Sequence, residues 1–329
     1  MAISGADGAQ NQLASVHGRG EVGMQIGVMF PQNEIGSDVA DIRAFTAAAV
    51  AVGCGHIWAT DHVIGADTAR RPDWKGAYGV QHEFHEPLIL FAYLAAICDL
   101  ELVTGVIILP QRQTVLVAKQ AANLDILCQG RLRLGVGVGW NPVEFEALGQ
   151  DFHARGRRLE EQVALMRKLW TEPVVDFEGE FDVVRGAGLA PLPIQRPIPV
   201  WMGAGDAPAA LRRVGRLADG YLAQRAPGPG SPTEQHLAHV REGARAAGRD
   251  PASLGLQGLL PIEGKSDALI RETAMRWRDL GATHLSIDPR AVSLHVREGL
   301  SMEEKVRSKA PAARLIENLQ RGAEAAAGL

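Results

Sequence analysis

The feature that most constrains this chain is an alternation: eight short apolar runs, each followed by a stretch of helical periodicity. The runs lie at 24–30, 56–60, 101–109, 132–139, 198–203, 220–224, 253–261 and 283–288. The helical stretches that answer them lie at 37–53, 87–99, 115–130, 155–170, 207–218, 233–247, 266–280 and 301–321, the first with Ser37 as its N-cap and Gly53 to close it. Each run is continuously apolar, as a strand buried on both faces must be. Eight such units predict an α/β fold of the closed (β/α)8 TIM-barrel kind. A doubly wound sheet is the rival, but its first strand leads into a Gly-rich phosphate turn, and here that turn reads MFPQNEIG. One segment, 171–197, interrupts the alternation before strand 5, with a hairpin-like DFEGEF inside it.

A length of 329 residues fits either two domains of ~150 residues or one barrel of ~250 with insertions. The alternation decides for one barrel domain, 24–323, behind a flexible tail, 1–23, that is polar and Gly-rich. That tail lacks the apolar core of a secretory signal, and no later run is long enough to span a membrane, so a cytoplasmic protein with no membrane partner is expected. A formal net charge of -4 argues against nucleic acid as a partner. Cys54, Cys98 and Cys128 form no CxxC pair and fall in apolar patterns, which predicts buried free thiols.

Barrels of this kind carry their active sites at the carboxyl ends of the strands. Those positions hold Pro31 and Gln32, then Asp61 and His62, then Thr104, Gly105 and Val106, then Gly137, Gly139, Trp140 and Asn141, then Gly203, Ala204 and Gly205. The run IWATDHV ends in a carboxylate beside an imidazole, a pair suited to proton transfer near neutral pH with Asp61 orienting His62. The competing account is a solvated loop pair. The glycines of GVGVGWN have two accounts, a flat ring lying against the strand or a tight interior that admits no side chain. In MGAGDAP a helix starts straight after Gly-Ala-Gly, an arrangement that suits phosphate, although Asp206 beside it would repel one. The histidines of HEFHEP, residues 82–87, do not match the zinc motif H-E-x-x-H and read as loop residues.

The ordered set IGVMFP, IWATDHV, TGVIILPQR…AKQAANLDILCQGRLRLGVGVGWNPVEFEALG and PVWMGAGDAPAALRRVGRLADGYL resembles the luciferase-like monooxygenase superfamily from residue 24 onward. Within it, TDH in place of EHH is similar to the branch that uses the deazaflavin coenzyme F420. That resemblance implies a hydride-transferring oxidoreductase with a small organic substrate and a homodimeric assembly. It implies His62 and Asp61 as catalytic residues and a cis peptide at Gly105–Val106. It also implies cofactor contacts at Thr104, Gly105, Val106, Gly137, Gly139, Asn141, Gly203, Ala204 and Gly205. One position departs from the sugar-phosphate dehydrogenases of the branch: their glutamate after the fourth strand is Trp140 here, and the nearest acid is Glu144. A more apolar substrate is therefore expected, with Trp140, Trp74 and Tyr78 lining its pocket and Trp58 either joining that lining or belonging to the core. The alternatives are an FMN-dependent monooxygenase and a non-catalytic flavin-binding barrel; a metal hydrolase would need His and acid residues at several strand ends.

Overall fold

A computed structural model describes residues 23–290 and 310–329. Eight parallel strands close on themselves: β1 (Gln25–Met29), β2 (His56–Ala59), β3 (Glu101–Thr104), β5 (Leu132–Gly137), β8 (Val200–Gly203), β9 (Gly220–Leu222), β10 (Gly255–Pro261) and β11 (His284–Asp288). The ring shuts where β11 pairs with β1 in the register Ile26↔Leu285 and Val28↔Ile287. The expected barrel is the observed one. β4 (Ile107–Ile108) carries β3 onward past the Gly105–Val106 peptide, which is cis, and keeps pairing with β5. β6 (Val175–Glu178) and β7 (Val183–Ala187) form the antiparallel hairpin of the interrupting segment.

Helices sheathe the barrel: α2 (Val39–Ala51), α3 (Pro87–Leu94), α4 (Thr114–Leu127), α6 (Arg155–Thr171), α7 (Pro208–Leu217), α8 (Thr233–Ala246), α9 (Asp267–Asp279) and α10 (Ala312–Ala326). Two short ones, α1 (Gln32–Ile35) and α5 (Pro142–Ala147), lie in the loops after β1 and β5 and have too few residues to show a period. The cap of α2 is Asp38, which accepts from Ala40 N–H, and not Ser37. The second helix ends at Leu94, short of the expected 99. The last runs Ala312–Ala326 where 301–321 was expected; residues 301–309, like the tail 1–22, lie outside the described residues. No described helix is long and apolar enough to cross a membrane. Cys54 and Cys128 are buried free thiols, their pKa values pushed up by burial to about 12 and about 11, while Cys98 is only half-buried.

The core fills the space between strands and helices with side chains such as Phe30, Phe45, Ile57, Leu102 and Trp277. Inside the barrel, Met29, Trp58, Val103 and Leu259 form a second apolar cluster. Below that cluster, at the amino ends of the strands, Arg133 donates to both oxygens of Glu101 at 2.9 and 2.8 Å and to Gln257 at 2.8 Å. Gln257 and His56 both reach Ser286 Oγ, at 3.0 and 2.6 Å. This polar layer fills the amino end of the barrel, and the carboxyl end is where such barrels take their ligands.

Candidate active site

His62 follows β2 and is 12% exposed; its Nδ1 lies 3.0 Å from Oε1 of Glu144, which is 1% exposed. Glu144 stands in the first turn of α5, where Pro142 at N1 and the Asn141 cap, accepting from Val143 N–H at 3.0 Å, fix the helix start. The carboxylate accepts two further hydrogen bonds, from Val63 N–H at 3.1 Å and from Gln111 Nε2 at 3.1 Å. Burial alone would raise its pKa, but the hydrogen bonds from His62, Gln111 and Val63 outweigh burial and lower it. An ionised carboxylate can only accept, so Nδ1 carries the hydrogen and Nε2 is left as the ring nitrogen open to a ligand.

The partner of His62 is thus Glu144, and Asp61 is directed elsewhere. Successive residues leaving a strand point to opposite sides, and Asp61 turns into the wall. Its Oδ2 accepts from Ile108 N–H at 2.9 Å, and Arg112 Nη2 reaches its Oδ1 at 2.8 Å. Arg112 also reaches Glu86 at 2.8 Å. Burial of Arg112 would lower its pKa, but Asp61 and Glu86 raise it.

Around His62 stand Tyr78, Phe84 and Trp140, their ring centroids 4.8, 4.7 and 5.6 Å away. Trp74 stacks on Trp140 at 5.9 Å and 25°. The loop after β2 therefore folds back over the strand ends. Two cavities flank this aromatic group. One, of about 440 Å³, lies beyond the ends of β8 and β9, among Ala204, Gly205, Tyr221 and Gln224, and is faced by Gly76, Trp140, His236 and the charged Lys75, Asp206 and Arg225. The other, of about 290 Å³, is lined by His62, Val63, Ile64, Tyr78, Val80, His82 and Phe84, with no carboxylate, lysine or arginine among the described residues that line it. His62 lines the second and touches Trp140, which lines the first. Asp206 is held by Arg225 at 3.0 Å and by His236 at 3.4 Å, so its charge is compensated at the mouth of the larger cavity.

The positions expected to meet a cofactor divide into two sets. Ala204 and Gly205 line the larger cavity, and a Cβ placed on Gly205 would meet no atom within 4 Å. Gly203 and Gly137 both back onto Val106, whose methyls lie 3.1 and 2.6 Å from where their Cβ atoms would be. Gly139 takes φ +71° and its Cβ would lie 2.6 Å from Ile108. A Cβ on Gly105 would strike the Trp58 ring at 1.7 Å. The strand glycines are thus explained by packing. Thr104 is fully buried and donates to Gly135 O at 2.7 Å, and Asn141 spends its side-chain oxygen on capping α5. Gln111 was missed in the sequence, and Glu144 was named only as the nearest acid after Trp140, because their relation to His62 exists only after the ends of β2, β4 and β5 are brought together; the local signal for Glu144 was an acid in the first turn after an Asn-Pro helix start.

The comparisons with known proteins agree with this architecture. An uncharacterised protein of Mycobacterium tuberculosis is 37% identical over 181 residues, 54% of this chain and 60% of that protein. The F420-dependent glucose-6-phosphate dehydrogenase of Mycolicibacterium fortuitum is 35% identical over 172 residues, 51% of each chain. That of Rhodococcus erythropolis is 39% identical over 142 residues, 42% of each. The chain therefore spans between about two fifths and three fifths of the length of these relatives. Among solved structures, the monooxygenase RslO1 of Streptomyces bottropensis superposes with TM-score 0.66 at 20% identity, covering 86% of this chain and 97% of the other. An F420-dependent secondary alcohol dehydrogenase, solved with an F420–acetone adduct, superposes with TM-score 0.63 at 20% identity, covering 92% and 90%. At such identity these two speak to the fold. The model of the luciferase-like monooxygenase family matches residues 22–328, and the chain belongs to that family.

Proposed function

We propose that this protein is an oxidoreductase that transfers hydride between the deazaflavin coenzyme F420 and a small uncharged organic substrate, with His62 handling the accompanying proton. The observation that carries this reading is the placement of His62. Its Nδ1 is engaged by a buried carboxylate, and it stands between a larger cavity with charged walls and a smaller one whose described lining has no carboxylate, lysine or arginine. The dehydrogenases with partial sequence similarity are named for the same cofactor.

The residues of the larger cavity fit such a cofactor. Gly205 offers an open cradle just before α7, where the backbone approaches the cavity without a side chain, and Lys75 adds positive charge, Arg225 being paired with Asp206. The Ala204–Gly205 step and the start of α7 would hold the phosphate, with Trp140 along one wall. Bound there, the deazaflavin supplies a carbon that gives or accepts hydride. Trp140 and the Trp74 stacked on it would shield the reaction from water, while Tyr78 and Phe84 hold the imidazole in place. Glu144 has both oxygens occupied and is buried, so it acts on substrate only through His62. The smaller cavity would receive the substrate, and the absence of lysine and arginine from its described lining disfavours a sugar phosphate. A homodimer, implied by the family resemblance, belongs to the same proposal.

The test is equilibrium binding of F420 and of FMN to the purified protein, followed by turnover on uncharged alcohols and ketones against sugar phosphates. Preferential F420 binding and turnover of the uncharged set are expected. A preference for FMN with oxygen consumption would replace the reading by a flavin monooxygenase. His62→Ala should bind F420 undiminished and lose about 10²- to 10⁴-fold in turnover, the usual worth of one positioned proton-transfer group. Unchanged turnover would remove His62 from the chemistry.

A further inference from the structure

Gln111 and Asp61 are not needed to place His62 next to a carboxylate, yet both are buried and both are committed to the wall behind it. Gln111 closes the 3-10 turn Leu109–Gln111 that follows β4, and its Nε2 donates to Oε2 of Glu144 at 3.1 Å. Its own Oε1 is buried and makes no hydrogen bond, a cost that an apolar residue of the same shape would avoid. The amide is thus oriented donor-first toward the carboxylate. That orientation requires Glu144 to present an unprotonated oxygen.

The turn that carries Gln111 is pinned at both ends by one side chain. Asp61 accepts from Ile108 N–H before the turn at 2.9 Å and binds Arg112 after it at 2.8 Å. The carbonyl of Arg112 is held in addition by Gln162 Nε2 at 3.0 Å. The two residues of the Asp-His step therefore act on the same carboxylate from opposite directions. His62 donates to one oxygen directly, and Asp61 fixes the segment whose amide engages the other.

We propose that Gln111 is a positioning residue for the proton-transfer site, set in place by Asp61, and that together they favour the ionised carboxylate of Glu144, which accepts at both oxygens, and so hold His62 in its Nδ1–H tautomer with Nε2 open to substrate. This rests on His62 as the proton-handling group of the reading above. Without the Gln111 donor, Oε2 is a buried lone pair with no partner. Glu144 then takes up a proton more readily, and a protonated Glu144 donates to Nδ1 and moves the imidazole hydrogen to Nε2, the wrong nitrogen for a base.

The test reads the tautomer in the cofactor-free protein, by long-range ¹⁵N–¹H NMR of the His62 ring in its neutral form. Gln111→Met keeps the volume and removes the donor. Asp61→Asn keeps the shape and removes the charge that holds Arg112. Glu86→Gln touches Arg112 from its other side and is the control. The wild type and the control should show Nδ1–H with only a few per cent of Nε2–H at most (~2 kcal/mol or more apart). The Nε2–H share should rise at least ~10-fold in Gln111→Met, corresponding to about 1.4 kcal/mol, and to a smaller extent in Asp61→Asn. Thermal unfolding of each variant identifies any that fail to fold, and a folded Gln111→Met with the wild-type tautomer overturns the proposal. An Nε2–H form in the wild type overturns it as well. Because no cofactor is present, a failure to bind F420 would remove the functional reading and leave this result standing.

Discussion

A single methyl group distinguishes the two kinds of glycine at the mouth of this barrel. Gly139 holds φ +71° and is backed by Ile108 and Phe145, so Gly139→Ala meets both a strained backbone and filled space. A loss of about 1–3 kcal/mol in unfolding free energy is expected by chemical denaturation. Gly205 faces open space within the larger cavity, so Gly205→Ala should leave stability within about 0.5 kcal/mol while weakening deazaflavin binding measured by titration. Equal destabilisation by the two would mean that Gly205 is also a packing glycine. At this scale the sequence was half legible. It brought His62 and Gly203–Gly205 to the strand ends, because strand order and the position of each strand end follow from periodicity. It could not separate a glycine that admits a ligand from one that admits a neighbour, nor could it tell that Asp61 points away from His62. Both depend on what stands opposite, which no local pattern records.

Elements were the most legible level, and the misses have a common cause. Strands and long helices follow from burial period, whereas α1 and α5 span four and six residues and offer too few turns to show one. α5 matters beyond its length, since it carries Glu144 to His62. The hairpin of β6 and β7 illustrates a second kind of dependence. Its turn is tied to α6 by one carboxylate, as Glu161 accepts from the backbone N–H groups of Glu180, Phe181 and Asp182 at 2.7, 2.9 and 2.7 Å. Arg157 of the same helix reaches Glu180 at the surface, a contact worth little by itself. Glu161→Ala should therefore release the turn without unfolding the barrel. Hydrogen exchange at 180–182 should quicken ~10-fold or more while the barrel strands keep their protection. Unchanged exchange at those three amides would show the hairpin held by its own ladder.

For the whole molecule, the amino end of the barrel sets how stability responds to acid. His56 is fully buried against Ser286, and burial, with Arg133 and His284 nearby, holds its pKa well below 6.5. His284, half-buried, is pushed down from 6.5 to about 3 by burial and by Arg133. Both rings stay neutral in the folded protein at pH values where the unfolded chain has already taken up protons. The unfolded state then binds more protons, so stability is full above about 6.5 and falls as pH drops below it. Glu144, lowered in the folded state, adds a loss of the same sign further down, below the ordinary carboxylate value of 4.5. The slope from one fully buried imidazole such as His56 is at most about 1.4 kcal/mol per pH unit. Urea midpoints should accordingly decline steadily between about pH 7 and pH 5, before carboxylates contribute. His56→Gln removes one titrating group while keeping a polar atom for Ser286, and should flatten that decline even if it lowers stability at neutral pH. A midpoint independent of pH in this window would mean that neither ring is held neutral by folding, and a His56→Gln slope equal to wild type would mean that the acid response originates outside the polar layer. The polar layer lies at the opposite end of the strands from His62. His56→Gln should therefore change the acid response of folding and leave the His62 tautomer as it is.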